Sequence, residues 1–148
     1  MNPLSATLKQ LLANMFVSYF KAQSYHWNIE GRNFAQDHAY FGDVYEQFYG
    51  KIDAIAEQMR ALGSYAPISL EDLYPSKTIQ EDTVKPESFQ AMVMNLLDCN
   101  AQITANLNKL FADADAANNQ GLADFAAGLL DEFAKQAWML RSHLKSGE

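Results

Sequence analysis

An apolar stripe with alternating steps of four and three runs through the second quarter of the chain. It comprises Phe34, His38, Phe41, Tyr45, Phe48, Ile52, Ile55, Met59 and Leu62. Such steps return to one side of an α-helix at every turn, so the stretch predicts a single helix over about 34–62 with one face inside a bundle. His38 interrupts the stripe. Asp53 and Glu57, spaced i,i+4, share a neighbouring row with Gly42, Glu46 and Tyr49. Groups able to bind metal therefore sit at the edge of a buried face, where an unsatisfied polar group is costly.

The remaining patterns are also helical. Asn2 is placed to cap a first helix that has Pro3 at its first position, where the missing N–H costs nothing. Leu4, Leu8, Leu11, Met15, Tyr19, Ala22 and His26 fall on one side of it. Asn28 to Asn33, with Gly31, breaks the chain before the second helix, which ends at Gly63. In the long connection that follows, residues 69–74 read as a short helix capped by Ser69 and stopped by Pro75. Pro86 and Glu87 open a third helix with Phe89, Met92, Leu96, Cys99, Ile103, Leu107 and Leu110 inward. Residues 111–121 read as the turn into a fourth, with Leu122, Phe125, Leu129, Phe133, Ala137, Leu140 and Leu144 inward. Trp138 is expected to pack. With no strand pattern and no internal repeat, residues 1–148 read as one all-α domain. Its architecture is a four-helix bundle with a short extra helix between helices 2 and 3.

Composition narrows the partners. Eleven Lys and Arg against eighteen Asp and Glu give a net charge of −7, the wrong sign for neutralising phosphates. Cys99 is the single cysteine, so no intrachain disulfide forms and a reducing compartment is favoured. The start, MNPLSATLKQ, lacks a signal-peptide pattern, and no apolar run approaches a membrane span. The expectation is a cytoplasmic protein with no membrane association.

A lone histidine on an apolar face is more often a hydrogen-bonded core residue than a ligand. An i,i+4 Asp/Glu pair is more often a solvated face, although its like charges repel slightly. A bridging cation would explain both features together. Imidazole with carboxylate suits iron, zinc or manganese, and such sets inside a helical bundle suit a di-iron site.

HWN at 26–28, a second histidine twelve residues later, and the run I-D-A-I-A-E-Q-M-R-A-L-G at 52–63 closely resemble the signature of the Dps family. These are ferritin-like miniature cages, also called DNA-binding proteins from starved cells. The chain length, the four-helix layout and the short helix in the long connection match as well. The resemblance implies a ferroxidase site between subunits, with His26, Asp53 and Glu57 from one and His38 from the other. It also implies a hollow dodecamer and acidic pores at three-fold axes, with Asp115 and Asp124 the candidates among Asp113, Asp115, Asp124 and Asp131. Trp27 would lie near the metal, as a fluorescence reporter or a sink for oxidising equivalents.

One position departs from that pattern. The family's acidic residue one turn after the second histidine is here Gly42, which has no side chain to bind a metal. Glu46 would reach toward the gap only through a water or a side-chain swing. Otherwise Gly42 leaves room for water, Asp37 or a tyrosine. A weakened or altered second metal position is expected.

The resulting expectation is a cage that binds Fe(II) at inter-subunit sites and oxidises it with hydrogen peroxide. His26, His38, Asp53 and Glu57 would be its ligands, ferric iron would be stored inside, and zinc would be a competing metal. Three alternatives accompany it: a metal-binding storage or scaffold shell with weak or no ferroxidase activity because of Gly42, a DNA-protecting cage, and a dimer that never closes. The DNA reading is disfavoured because the family's basic tail has only Arg141 and Lys145 to stand for it.

Overall fold

The computed structural model describes residues 2–145. Helix α1 spans Pro3–Asn28, α2 Phe34–Tyr49, α3 Ile52–Ala61, α4 Leu70–Leu73, α5 Phe89–Ala116 and α6 Gln120–Ser142, with a 3₁₀ turn at Tyr74–Ser76 after α4. No strand occurs among the described residues, and no helix among them is long and apolar enough to cross a membrane. The bundle's four rods are α1, the α2–α3 pair, α5 and α6. Helix α1 packs on α2, α3 and α5, and α5 packs on α6.

The core is largely the one that periodicity marks, although Phe34, first in the expected stripe, is 45% exposed. Leu8, Leu11, Met15, Phe41, Phe48, Ile55, Met59, Met92, Leu96, Cys99, Ile103, Leu107 and Leu110 are all buried. On α6, Leu122, Leu129, Phe133 and Leu140 are buried and Phe125 packs at the margin, as does Leu144 just beyond the helix. Each large apolar side chain so buried contributes roughly 1.5–3 kcal/mol. Trp138, expected to pack, is instead 57% exposed in the chain.

Three boundaries differ from the periodic reading. The predicted helix over 34–62 divides into α2 and α3 at Gly50 and Lys51. There Lys51 N–H bonds Phe48 O, three residues back, at 3.2 Å, a local 3₁₀ tightening. A Cβ on Gly50 would lie 3.1 Å from Glu46 O, a backbone atom with little freedom to yield. Helix α5 begins at Phe89 rather than at Pro86, because Ser88 is the cap and its Oγ accepts from Ala91 N at 3.1 Å. The turn into α6 is only residues 117–119, so Asp113 and Asp115 lie on the last turn of α5. Asn118 takes the left-handed conformation there (φ 59°), and Asn119 caps α6 by accepting from Leu122 N.

Buried amides pin the long connection. Asn14 donates from Nδ2 to Thr78 Oγ1 (2.9 Å) and Asn106 Oδ1 (2.7 Å), and its Oδ1 accepts from Thr78 N (2.8 Å) and Ile79 N (3.1 Å). Near the C-terminal end of α1, Tyr25 OH donates to Asp82 Oδ2 at 2.5 Å and accepts from Asn95 Nδ2 at 3.0 Å. Burial, reinforced by the Asp82 bond, pushes this phenol well above its ordinary range. The end of α1 is thereby fixed from both sides, and His26 follows directly.

Candidate metal centre

The centre begins at the tight connection between α1 and α2. Gly31 turns the chain (φ 137°), and Ile29 N–H bonds Tyr25 O to finish α1. Five residues, 29–33, separate the two helices, so the last turn of α1 and the first turns of α2 stand side by side. His26 and His38 meet across them. Their rings stack with centroids 3.8 Å apart and planes 16° apart.

Each histidine is held by the other's backbone. His26 Nδ1–H donates to His38 O at 2.7 Å, and His38 Nδ1–H donates to His26 O at 2.6 Å. A carbonyl oxygen only accepts, so both Nδ1 atoms carry the proton in these bonds. The neutral ring then presents an Nε2 lone pair, the usual arrangement of a metal-binding histidine whose other nitrogen is anchored. Phe34 stacks on the far face of His38 at 5.1 Å, and the Tyr45 ring lies 5.4 Å from His26 at 62°.

Gly42 lies beneath this stack. A Cβ there would approach His26 Nδ1 to 3.2 Å and His26 Cε1 to 3.3 Å. The space opened by the glycine is thus taken up by the imidazole of His26. Of the stand-ins weighed for the missing acid, Asp37 feels the charge of His143 but forms no ion pair with it among the described residues. Partial burial raises the Asp37 carboxyl above its ordinary range, while the His143 charge acts in the opposite direction. Glu46 is exposed on α2. The tyrosine in contact is Tyr45.

Asp53 and Glu57 lie on α3 and are both exposed. Among the described residues, no three His, Cys, Asp or Glu side chains converge to hold a metal ion. The division that places His26 with Asp53 and Glu57 in one subunit and His38 in another is therefore not what this chain displays. The short 29–33 link joins the two imidazoles within one chain, and the two carboxylates form a separate, outward-facing pair.

Trp27 is 57% exposed, and its ring neighbour is Phe20 at 6.0 Å. Within the chain, the aromatic ring against His26 belongs to Tyr45. Its i,i+3 spacing from Gly42 was the sequence signal for that contact. Near the end of α5, Asp113 pairs with Lys109 (2.8 Å), and midway along α6, Asp131 pairs with Lys135 (3.5 Å). Asp115 and Asp124 are exposed and belong to none of the ion pairs found among the described residues.

Comparison with known proteins agrees with this architecture. The family model for the ferritin-like domain matches residues 5–148. An uncharacterised low temperature-induced protein of Nostoc is 36% identical over 93% of this chain and 78% of its own length. A DNA protection during starvation protein of Brevibacillus brevis is 28% identical over 96% of this chain and 95% of its own. The crystal structure of a Dps protein from Vibrio cholerae, described as a member of a broad superfamily of ferritin-like diiron-carboxylate proteins, superposes with a TM-score of 0.91. It is 28% identical and covers 96% of this chain and 89% of that one. The chain thus belongs to the ferritin-like domain family and, within it, to the Dps proteins.

Proposed function

We propose that this chain forms a Dps-type shell in which Fe(II) binds between subunits and is oxidised by hydrogen peroxide, and the ferric product is stored inside. One observation carries the reading: His26 and His38 are locked by their Nδ1–H bonds with both Nε2 atoms left for a ligand. A hydrogen-bonded core histidine has no need of such a matched pair. The half-site is incomplete within the chain, and the exposed Asp53 and Glu57 supply carboxylates of the kind it lacks. We assign the imidazoles of one subunit and the carboxylates of its two-fold mate to one site. The carboxylates offset the charge gained when Fe(II) becomes Fe(III), and zinc competes for the same donors.

Iron storage and protection against oxidative stress are the roles that membership of this family supports. The finer assignments, a dodecamer in the cytoplasm and an Fe(II) entry pore lined by Asp115 and Asp124, are parts of the proposal. These two aspartates are favoured because the i,i+4 lysines already neutralise Asp113 and Asp131. A field of one sign at a pore would concentrate Fe(II). DNA binding forms no part of the reading, since a net charge of −7 opposes it.

An anaerobic Fe(II) titration followed by peroxide tests the reading. Saturable binding and stoichiometric ferric absorbance are expected. Binding without oxidation would leave a storage or scaffold shell, and no binding would end the metal assignment. A gel shift that survives moderate salt would overturn the exclusion of DNA.

A further inference from the structure

His26 stands in the last turn of α1, and helix ends are where a chain opens most readily. Its Nδ1–H bond reaches His38 O on α2. That bond ties the two helices to each other and to nothing else. A histidine so placed keeps its Nε2 on one line only if the turn itself is held from outside.

Tyr25 supplies the hold. It is 1% exposed and touches three separate elements. Its hydroxyl donates to Asp82 Oδ2 in the long connection (2.5 Å) and accepts from Asn95 Nδ2 on α5 (3.0 Å). Its ring lies 5.8 Å from that of Phe41 on α2, the residue before Gly42. Asp82 has a second anchor one turn earlier on α1. Its Oδ1 lies 3.6 Å from Lys21 Nζ, which also donates to Gln80 O at 2.7 Å. Lys21 and Tyr25, spaced i,i+4, thus clasp one carboxylate from the same side of the helix. Phenylalanine would fill the same core space with no hydroxyl to satisfy, so packing alone does not call for tyrosine. What the hydroxyl adds is a fixed direction for the end of α1.

We propose that Tyr25 and Asp82 are positioning residues of the metal centre. The bond between them, backed by Lys21, holds the last turn of α1 so that His26 Nε2 keeps the line its ligand needs. The inference rests on the ferroxidase reading above. Neither residue contributes a ligand to the proposed site. Removing a group that orients a metal-binding histidine costs roughly 10–100-fold in metal affinity. Here the orientation passes through the backbone of the adjacent residue rather than through the imidazole.

The test combines anaerobic Fe(II) calorimetry on the full-length protein with hydrogen exchange of the metal-free protein over residues 22–29. Tyr25→Phe keeps the ring, Asp82→Ala removes the acceptor, and Asp82→Asn keeps an acceptor for the phenol. A stability control is Leu8→Ala, which empties a fully buried position about 25 Å back along α1. Tyr25→Phe and Asp82→Ala should bind Fe(II) at least tenfold more weakly and exchange faster over 22–29. Their double variant should be no worse than the weaker single, since both break the same bond. Asp82→Asn should stay near the native affinity, and Leu8→Ala should lose stability but keep its Fe(II) affinity. Native affinity in Tyr25→Phe would overturn the assignment, as would an equal loss in Leu8→Ala, and either result leaves the ferroxidase reading standing. Absence of Fe(II) binding by the native protein would remove both.

Discussion

His26 and His38 each donate an Nδ1–H to the other's carbonyl oxygen, at 2.7 and 2.6 Å, and stack at 3.8 Å. The arrangement fixes ring, tautomer and backbone together. Replacing either histidine with alanine removes its ring from the stack and leaves the other's carbonyl without its donor, while the remaining ring keeps its own Nδ1–H bond to the backbone. Each such loss costs about 1 kcal/mol of stability, a modest fall beside the expected loss of Fe(II) binding. Thermal melts and Fe(II) titrations on His26→Ala and His38→Ala separate the two effects. A full loss of binding with a small change in melting temperature is the expected pattern.

Gly42 acts through space as well as through a missing ligand. Alanine in a helix interior gains about 0.5–1 kcal/mol over glycine, but here its Cβ meets His26 at 3.2 Å. We expect Gly42→Ala to gain none of that stability and to weaken Fe(II) binding by tilting the His26 ring. Gly42→Asp suffers the same contact but adds a carboxylate, so it should bind a second Fe(II). Paired melts and Fe(II) titrations of the two variants test this. A stabilised Gly42→Ala with native binding would show that the contact is harmless.

Tyr40 carries a buried hydroxyl with no hydrogen-bond partner, and its ring lies 4.0 Å from that of His143. Such a group costs about 1–3 kcal/mol, so Tyr40→Phe should raise the melting temperature at neutral pH. Burial, with the Asp43 charge adding to it, pushes this phenol up from 10.0 to about 12. Between those values the folded state holds the proton more tightly than the unfolded state, so the stability Tyr40 contributes is lost as pH rises. The advantage of Tyr40→Phe should therefore widen from pH 10 to pH 12. Urea melts across that range provide the check.

Asn14 satisfies two backbone N–H groups and one side chain of the long connection, and also Asn106. Asn14→Ala strands several of these groups at once and should cost about 3–5 kcal/mol. Denaturant melts give the total. Faster hydrogen exchange at Thr78 and Ile79 would place the loss at the connection.

Much of the bundle was legible because helix periodicity records burial directly. The α5 stripe from Met92 to Leu110 is buried where it was expected, and Cys99 is the small buried hydrophobe that its position in that stripe suggests. The break at Gly50 was hidden because the apolar stripe continues across it, and only the backbone bond from Lys51 N–H to Phe48 O marks it. Ser88 was passed over because Pro86 and Glu87 also carry helix-start chemistry. The amide network of Asn14 joins positions more than sixty residues apart, which no local pattern encodes. At the candidate centre, the residue types were legible but their grouping was not. Stacking of His26 on His38 depends on how α1 packs against α2 across the 29–33 link, which no local pattern records.

The most direct test of the central claim is complementation between two inactive chains, one carrying His26→Ala with His38→Ala and the other Asp53→Asn with Glu57→Gln. Neither alone should bind or oxidise Fe(II). If imidazoles and carboxylates come from different subunits, each mixed dimer regains one intact site, and Fe(II) binding and peroxide-driven ferric absorbance should return on co-assembly. Mixed assemblies that form but bind no Fe(II) would contradict the inter-subunit site.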